Sequence, residues 1–303
     1  MSPSTRREFI RNCLVAGGST FVGPQLLSSL LPCATFAADE KPGSKMKYGL
    51  VTYLWGQDWD LPMLIANCEA SGVLGVELRT THAHGVEPSL NAEQRKDVKK
   101  RFADSSVTNV GIGSNERYDS PDPAVVEKAI VATKEFLILS HDVGTTGVKV
   151  KPDRFYDDVP REKTIAQIGA SLNTLGKFAA DLDQQVRLEV HGQAAAPPII
   201  RQIMDIADHP NVAVCWNSNP TDLEGDGLEA NFNLLKDRFG ATCHVHQFDD
   251  PTYPYAELMA LLVKMDYDGW LLLEAGDAPE DRVAGLKHQL ELFHELREQA
   301  QSA

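Results

Sequence analysis

Gln185-Val186-Arg187-Leu188-Glu189-Val190-His191 alternates apolar with polar or ionisable side chains. A period of two marks a β-strand. Leu188 and Val190 share one face, which leaves Arg187, Glu189 and His191 on the other. A helical period follows over 196–208, with Pro197-Pro198 before or within its first turn. The chain then alternates again through Val212, Ala213, Val214, Cys215, Trp216 and Asn217. A strand, a helix and a second strand at this spacing form a parallel crossover unit.

The same unit repeats on both sides. Strands are expected at 47–53, 73–79, 107–113, 145–151, 185–191, 211–217, 242–248 and 269–274. Helical periods lie between them at 60–72, 91–104, 122–141, 160–182, 196–208, 228–239 and 254–265, with a last helix at about 280–298. The 160–182 period shows the spacing well, with Ile165, Ile168, Leu172, Leu175 and Phe178 on one face. Eight units in one segment predict an α/β fold of the (β/α)8 type, a single barrel over 47–303. An open doubly wound sheet is the structural alternative, but no glycine-rich dinucleotide or phosphate-loop fingerprint supports it.

Strand parity turns this fold into a statement about chemistry. Glu77 and Arg79 fall on the inward parity of the second strand, and Lys149 and Lys151 on that of the fourth. Glu189 and His191, Asn217, His244 and His246, and Glu274 do so on the fifth to eighth. All lie near C-terminal strand ends, where barrel enzymes place their active sites. Glu189, Asn217, His246 and Glu274 come from four consecutive strands and make a mixed oxygen and nitrogen shell. Such a shell suits Mn²⁺, Mg²⁺ or Zn²⁺. A metal there would polarise a sugar carbonyl, and a carboxylate on either side could move the adjacent proton. The competing reading is a metal-free charged network, with Lys149, Lys151 and Arg187 neutralising the carboxylates.

Composition narrows the partners. The chain has 303 residues, with 29 Lys and Arg against 43 Asp and Glu, a formal net charge of −14. That balance argues against bulk binding to nucleic acid or an anionic membrane surface. At the N-terminus, Thr5-Arg6-Arg7-Glu8-Phe9-Ile10-Arg11 and the apolar stretch from Cys13 to Leu31 read as a cleavable twin-arginine export signal over 1–37. A polar linker over 38–46 follows, and the expected location is periplasmic or exported. Cys33 follows Leu30-Leu31-Pro32, a poor lipobox. Cys68, Cys215 and Cys243 remain after processing, and an odd number in apolar stretches predicts buried free thiols rather than a disulfide framework.

The motifs Leu188-Glu189-Val190-His191-Gly192, Val214-Cys215-Trp216-Asn217-Ser218-Asn219, His244-Val245-His246-Gln247-Phe248-Asp249 and Leu272-Leu273-Glu274 resemble the xylose isomerase-like TIM-barrel family of sugar phosphate isomerases and epimerases. The resemblance runs over about 47–298. It implies one divalent metal held by Glu189, Asn217, His246 and Glu274, with the two glutamates as the acid/base pair. The chain departs from the pattern at Asn217, where the family usually has Asp, and at Pro220, where a His often follows. His191 or His244 could compensate. The resemblance also places Asp249 behind His246 as an orienting group.

Glu77, Arg79, His82, Lys149, His191 and His244 fit a polyol-binding pocket. Trp55 and Trp59 either stack on a sugar face or close the barrel edge. The expected activity is a metal-dependent isomerase or epimerase of a sugar or keto-sugar, acting by proton transfer beside a carbonyl. A lyase or hydrolase of a keto-glycoside and a non-catalytic sugar-binding barrel are the alternatives. The expected partner is a small carbohydrate; no stable membrane insertion is expected after processing, and homo-oligomerisation stays open.

Overall fold

The computed structural model describes residues 41–303. The export signal, Cys33 and the first residues of the expected linker lie outside the described residues. Among the described residues, eight strands alternate with eight α-helices in chain order: β1 (Lys47–Val51), α1 (Leu61–Ser71), β2 (Gly75–Arg79), α2 (Ala92–Ala103), β3 (Thr108–Arg117), α3 (Pro123–Val143), β4 (Gly147–Lys151), α4 (Arg161–Ala180), β5 (Gln185–Glu189), α5 (Pro197–Ile206), β6 (Val212–Cys215), α6 (Leu228–Leu235), β7 (Thr242–Val245), α7 (Tyr255–Lys264), β8 (Trp270–Leu273) and α8 (Arg282–Ala300).

The strands form one parallel sheet in the order β6-β5-β4-β3-β2-β1-β8-β7. The seam between β6 and β7 is narrowed by isolated bridges, Val214 with Phe239 and Asn217 with His244. Backbone bonds from His244 N to Trp216 O at 2.7 Å and from Gly240 N to Val214 O at 2.8 Å add to it. The result is a nearly closed TIM barrel.

Local chemistry starts and stops the helices where the sequence marks them. The Asp60 carboxylate accepts from Met63 N at 2.9 Å and Pro62 sits in the first turn of α1, while Gly72 at φ 80 ends it. Asn91 and Gln94 form a reciprocal capping box on α2. Asp122 caps α3 ahead of Pro123.

Leu50, Leu78, Ile112, Val148, Val150, Leu188, Val214, Val245 and Leu273 pack between sheet and helices with no solvent exposure. Truncating a buried Leu of this kind to Ala costs about 2–5 kcal/mol. Trp55 and Trp59 join this layer, 2% and 3% exposed, so both close the barrel edge. Met46, at the end of the expected linker, also packs in it. Cys68, Cys215 and Cys243 are buried free thiols.

The barrel interior is different. Its apolar content is a small cluster of Val51, Val110 and Leu272. Above this lie fully buried Arg187, Glu77, Lys149, Glu189 and His244. Gly113 on β3 makes room for them, because a Cβ there would stand 2.9 Å from Glu77 Oε1.

Candidate active site at the barrel mouth

The lowest polar group is Arg187. Its guanidinium donates to Gln185 Oε1 at 3.1 Å and to Val110 O at 3.3 Å. It supports the layer above without reaching the mouth.

The middle layer is a charged cluster centred on His244. Nε2 of His244 lies 3.2 Å from Glu77 Oε1, and Nδ1 lies 3.2 Å from Glu274 Oε2 and 3.4 Å from Glu189 Oε1. Lys149 Nζ stands 2.8 Å from Glu189 Oε2, both side chains fully buried. Asn217 Nδ2 donates to Glu189 Oε1 at 3.0 Å and to Glu274 Oε2 at 3.1 Å. Burial opposes charge on Glu77, Lys149, Glu189 and His244, yet the opposite charges win. Burial alone would lower the His244 pKa, but Cys215, Glu77 and Glu274 hold it well above the usual imidazole value. Burial likewise pushes Glu189 up, and Lys149 and His244 outweigh it and hold the carboxyl well below its ordinary range.

These donors fit a divalent cation. Glu189, His244 and Glu274 each offer one ligand atom, all within 4.8 Å of one another, and carboxylate oxygen with imidazole nitrogen suits Mn²⁺, Mg²⁺ or Zn²⁺. Both oxygens of Glu77, Oε2 of Glu189, Nζ of Lys149, Nε2 of His244 and Oδ1 of Asn217 are buried without an aligned hydrogen-bond partner. Such atoms concentrate where a group of charge can be received. Glu77 facing Nε2 leaves Nδ1 of His244 directed at both glutamates, the carboxylate–imidazole arrangement that orients a metal-ligating histidine. Rotating the Asn217 amide end for end would present Oδ1 to the same place.

The sequence placed His246 with the glutamates, and the structure brings His244 against both of them. His246 lines the pocket above the cluster. Its backbone N–H donates to Ser218 Oγ and Tyr255 Oη, both at 3.0 Å, and burial lowers its pKa. Asp249 takes Gln289 and His288 on α8 as partners, at 2.8 and 3.5 Å, instead of orienting His246. Glu77, Lys149 and His244, expected at the substrate, lie beneath the pocket floor.

The upper layer is a cavity of about 430 Å³, within the range of small-molecule sites. Glu274, Asn217 and His246 line it together with Arg79, Lys151 and His191. Of the two glutamates, Glu274 keeps 11% side-chain exposure and Glu189 none. His82 braces Arg79 from the side, its Nε2 3.2 Å from Arg79 Nη1. Burial, then the Arg79 charge, lowers the His82 pKa to about 4, so it stays a neutral acceptor.

Sequence reading left out three contributors. Asp153, at φ 52, directs its Oδ1 to His191 Nδ1 at 2.5 Å and its Oδ2 to Arg117 Nη1 at 2.6 Å. The His191 hydrogen bond, against burial and together with Arg117, lowers its pKa to about 2. Gly192 at φ 70 permits this approach, since a Cβ would stand 2.7 Å from Asp153 O. Tyr53 and Asp277 complete the rim. Asp153 and Asp277 follow strands rather than sit in them, beyond the reach of alternation, with Lys151 on the inward parity as the nearest signal; Tyr53 ends the expected 47–53 strand and shares the parity of the inward Val51.

A family model described as xylose isomerase-like TIM barrel matches residues 65–296. No curated protein sequence matches the chain. Among solved structures, the apo form of the 3-keto-D-glucoside 4-epimerase YcjR from E. coli is similar with TM-score 0.70 at 15% identity, over 82% of this chain and 99% of that one. A D-allulose 3-epimerase from Methylomonas sp. is similar with TM-score 0.70 at 17% identity, over 85% and 100%. The IOLI protein with a bound zinc atom is similar with TM-score 0.66 at 13% identity, over 85% and 98%. At these identities the likeness speaks for the fold.

Proposed function

The chain belongs to the xylose isomerase-like TIM barrel family, and from that premise we propose that it is a sugar isomerase or epimerase that moves a proton on the carbon beside a carbonyl. The observation that carries the reading is the convergence of Glu189 and Glu274 on one amide, at 3.0 and 3.1 Å, beneath a pocket of sugar size. The names of several similar structures, sugar and keto-sugar epimerases, support the substrate class.

Glu274 faces the pocket and takes the α-proton. Asn217 and His244 hold its carboxylate in place, and His246 and Asp277 stand beside it to hydrogen-bond sugar hydroxyls. Lys151 and His191, from the ends of β4 and β5, also face the cavity and can return a proton to the carbon or its oxygen. Glu189, His244 and Glu274 would hold a divalent metal that supplies Lewis-acid stabilisation of negative charge on the substrate oxygen.

One observation favours a second reading. Because Glu189 is sealed below Asn217 and Lys149, Glu274 is the one exposed carboxylate of the pair. A single base suffices for β-elimination from a keto-glycoside, whereas epimerisation needs a proton delivered to the opposite face. Incubation with 3-keto-glucosides and ketoses in D₂O separates the cases. Deuterium at the α-carbon with the skeleton intact supports isomerisation or epimerisation, and a released aglycone supports the lyase. Glu274→Gln is expected to lower either rate by about 10²–10⁴-fold with unchanged folding. Absence of exchange and of cleavage on all substrates would leave a sugar-binding barrel. Export through the twin-arginine route belongs to the same proposal, and replacing Arg6 and Arg7 by Lys tests it by the location of the product.

A further inference from the structure

Resting on that reading, we propose that the substrate is a sugar acid, its carboxylate held by Arg79 and Lys151 while its carbonyl end meets Glu274. Two cations of the pocket lack a carboxylate counter-ion among the described residues. Arg79, the last residue of β2, has its guanidinium 5.1 Å over the Tyr53 ring. Nη2 donates to Asn115 Oδ1 at 3.2 Å and Nη1 faces His82 Nε2 at 3.2 Å, both neutral acceptors. Its Nε is buried with no hydrogen-bond partner. The group is thus fixed in orientation and left with its charge unmatched, the preorganised state that suits carboxylate recognition.

Lys151, the last residue of β4, reaches His191 Nε2 at 3.4 Å. The carboxylate nearest in sequence, Asp153, is occupied by Arg117 and His191. Burial and then the charge of Lys149 lower the Lys151 pKa against the pull of Glu189 and Glu274, and Arg79 adds to the repulsion. An anion between Arg79 and Lys151 relieves that repulsion. The opposite side of the same cavity carries Glu274, Asp250 and Asp277. These three acids outnumber the two cations, so a monoanionic carboxylate is tolerated better than a dianionic phosphate. The two sides also orient the ligand, with its acid toward β2 and β4 and its polyol toward β7 and β8.

The test is calorimetric titration of the full chain with D-glucuronate, D-glucose and D-glucose 6-phosphate at low and high salt. Glucuronate is expected to bind at least about tenfold tighter than glucose, the scale of one charge-assisted contact, with the margin shrinking in salt. Arg79→Gln and Lys151→Gln are each expected to erase the margin, and Arg79→Lys to keep part of it. Should a variant fail to fold, the wild-type preference alone still decides. Equal binding of glucose, tighter binding of the phosphate, no glucuronate binding at millimolar concentration, or a margin unchanged in folded Gln variants overturns the assignment. The two readings fail separately. Deuterium exchange on a neutral 3-keto-glucoside without acid preference removes this inference and leaves the catalytic one. Acid preference without exchange on any keto-sugar, acidic or neutral, does the reverse.

Discussion

Nζ of Lys149 lies 2.8 Å from Oε2 of Glu189 at the centre of the barrel, and neither side chain is exposed to solvent. The pair joins β4 to β5 beneath the pocket floor, and Glu189 also takes the Asn217 amide at 3.0 Å. It therefore serves both the stability of the barrel and the placement of the carboxylates.

Removing one partner strands the other. Lys149→Met is expected to destabilise the fold by about 3–5 kcal/mol at neutral pH, because it takes the nearest cation from a buried carboxylate. Adding Glu189→Leu should recover much of that loss. Urea unfolding of the single and double variants measures both. The carboxyl pKa of Glu189 is depressed by Lys149 and His244 against burial. Its stabilisation is thus present above the ordinary carboxyl range and lost as pH falls through the folded value.

Metal binding should release a proton. His244 is held protonated by its neighbours, and a ligating imidazole must give up the proton on the nitrogen it donates. Titration of Mn²⁺ or Zn²⁺ in buffers of different ionisation enthalpy is expected to show about one proton released per ion. Affinity should rise with pH. His244→Ala should remove binding, while His246→Ala should leave it within about the 10–100-fold span of a neighbouring group.

Asp222 sets a second pH dependence. The residue is fully buried, and its Oδ2 accepts from Asn219 N at 2.9 Å and Tyr253 Oη at 2.8 Å. Its Oδ1 has no hydrogen-bond partner, and burial pushes the pKa up from 3.8 to about 7. The folded state keeps a proton that the unfolded chain has released. The stability contributed by this residue is therefore greatest below about pH 4 and falls, by on the order of 2–4 kcal/mol, as pH rises to about 7. Asp222→Asn should flatten this slope in unfolding measurements at pH 5 and pH 8. Asn219 lines the pocket and donates to Val190 O at 2.7 Å, so an effect of Asp222 on sugar affinity is expected only near pH 7, where the folded state loses this proton.

The strands were legible because inward and outward residues alternate by chemistry. Leu188 packs outward while Arg187 and Glu189 point in, as the period of two requires. Several strands end earlier than the alternation suggests. β5 stops at Glu189 and β6 at Cys215, so His191 and Asn217 stand just beyond the ladder. β3 runs longer, to Arg117, through glycines and polar residues that carry no alternation. Parity separates inside from outside but does not measure depth. His244 and His246 share a face yet differ by two residues, roughly 6.6 Å along a strand, and the deeper one meets the glutamates. Depth also puts Glu77 and Lys149 under the floor, where charge pairing, invisible to periodicity, holds them.

Asn217→Asp tests how this site balances its charge. In the present chain the Asn217 amide donates to Glu189 and Glu274 and eases their repulsion without a cation. An aspartate removes both donors and adds a third acidic group to that pair. The metal-free variant should lose about 3–5 kcal/mol, the cost of an unmatched buried charge, and its melting temperature should fall. The same carboxylate adds charge to the metal shell, so Mn²⁺ should restore the loss. At an ion concentration of about one hundred times the dissociation constant the recovery is about 2.7 kcal/mol. Melting scans with and without Mn²⁺ should therefore show a wider gap in the variant than in the parent. An equal gap would mean that the Asn217 amide already serves the metal as well as a carboxylate does, and that Lys149 and His244 set the metal-free charge balance.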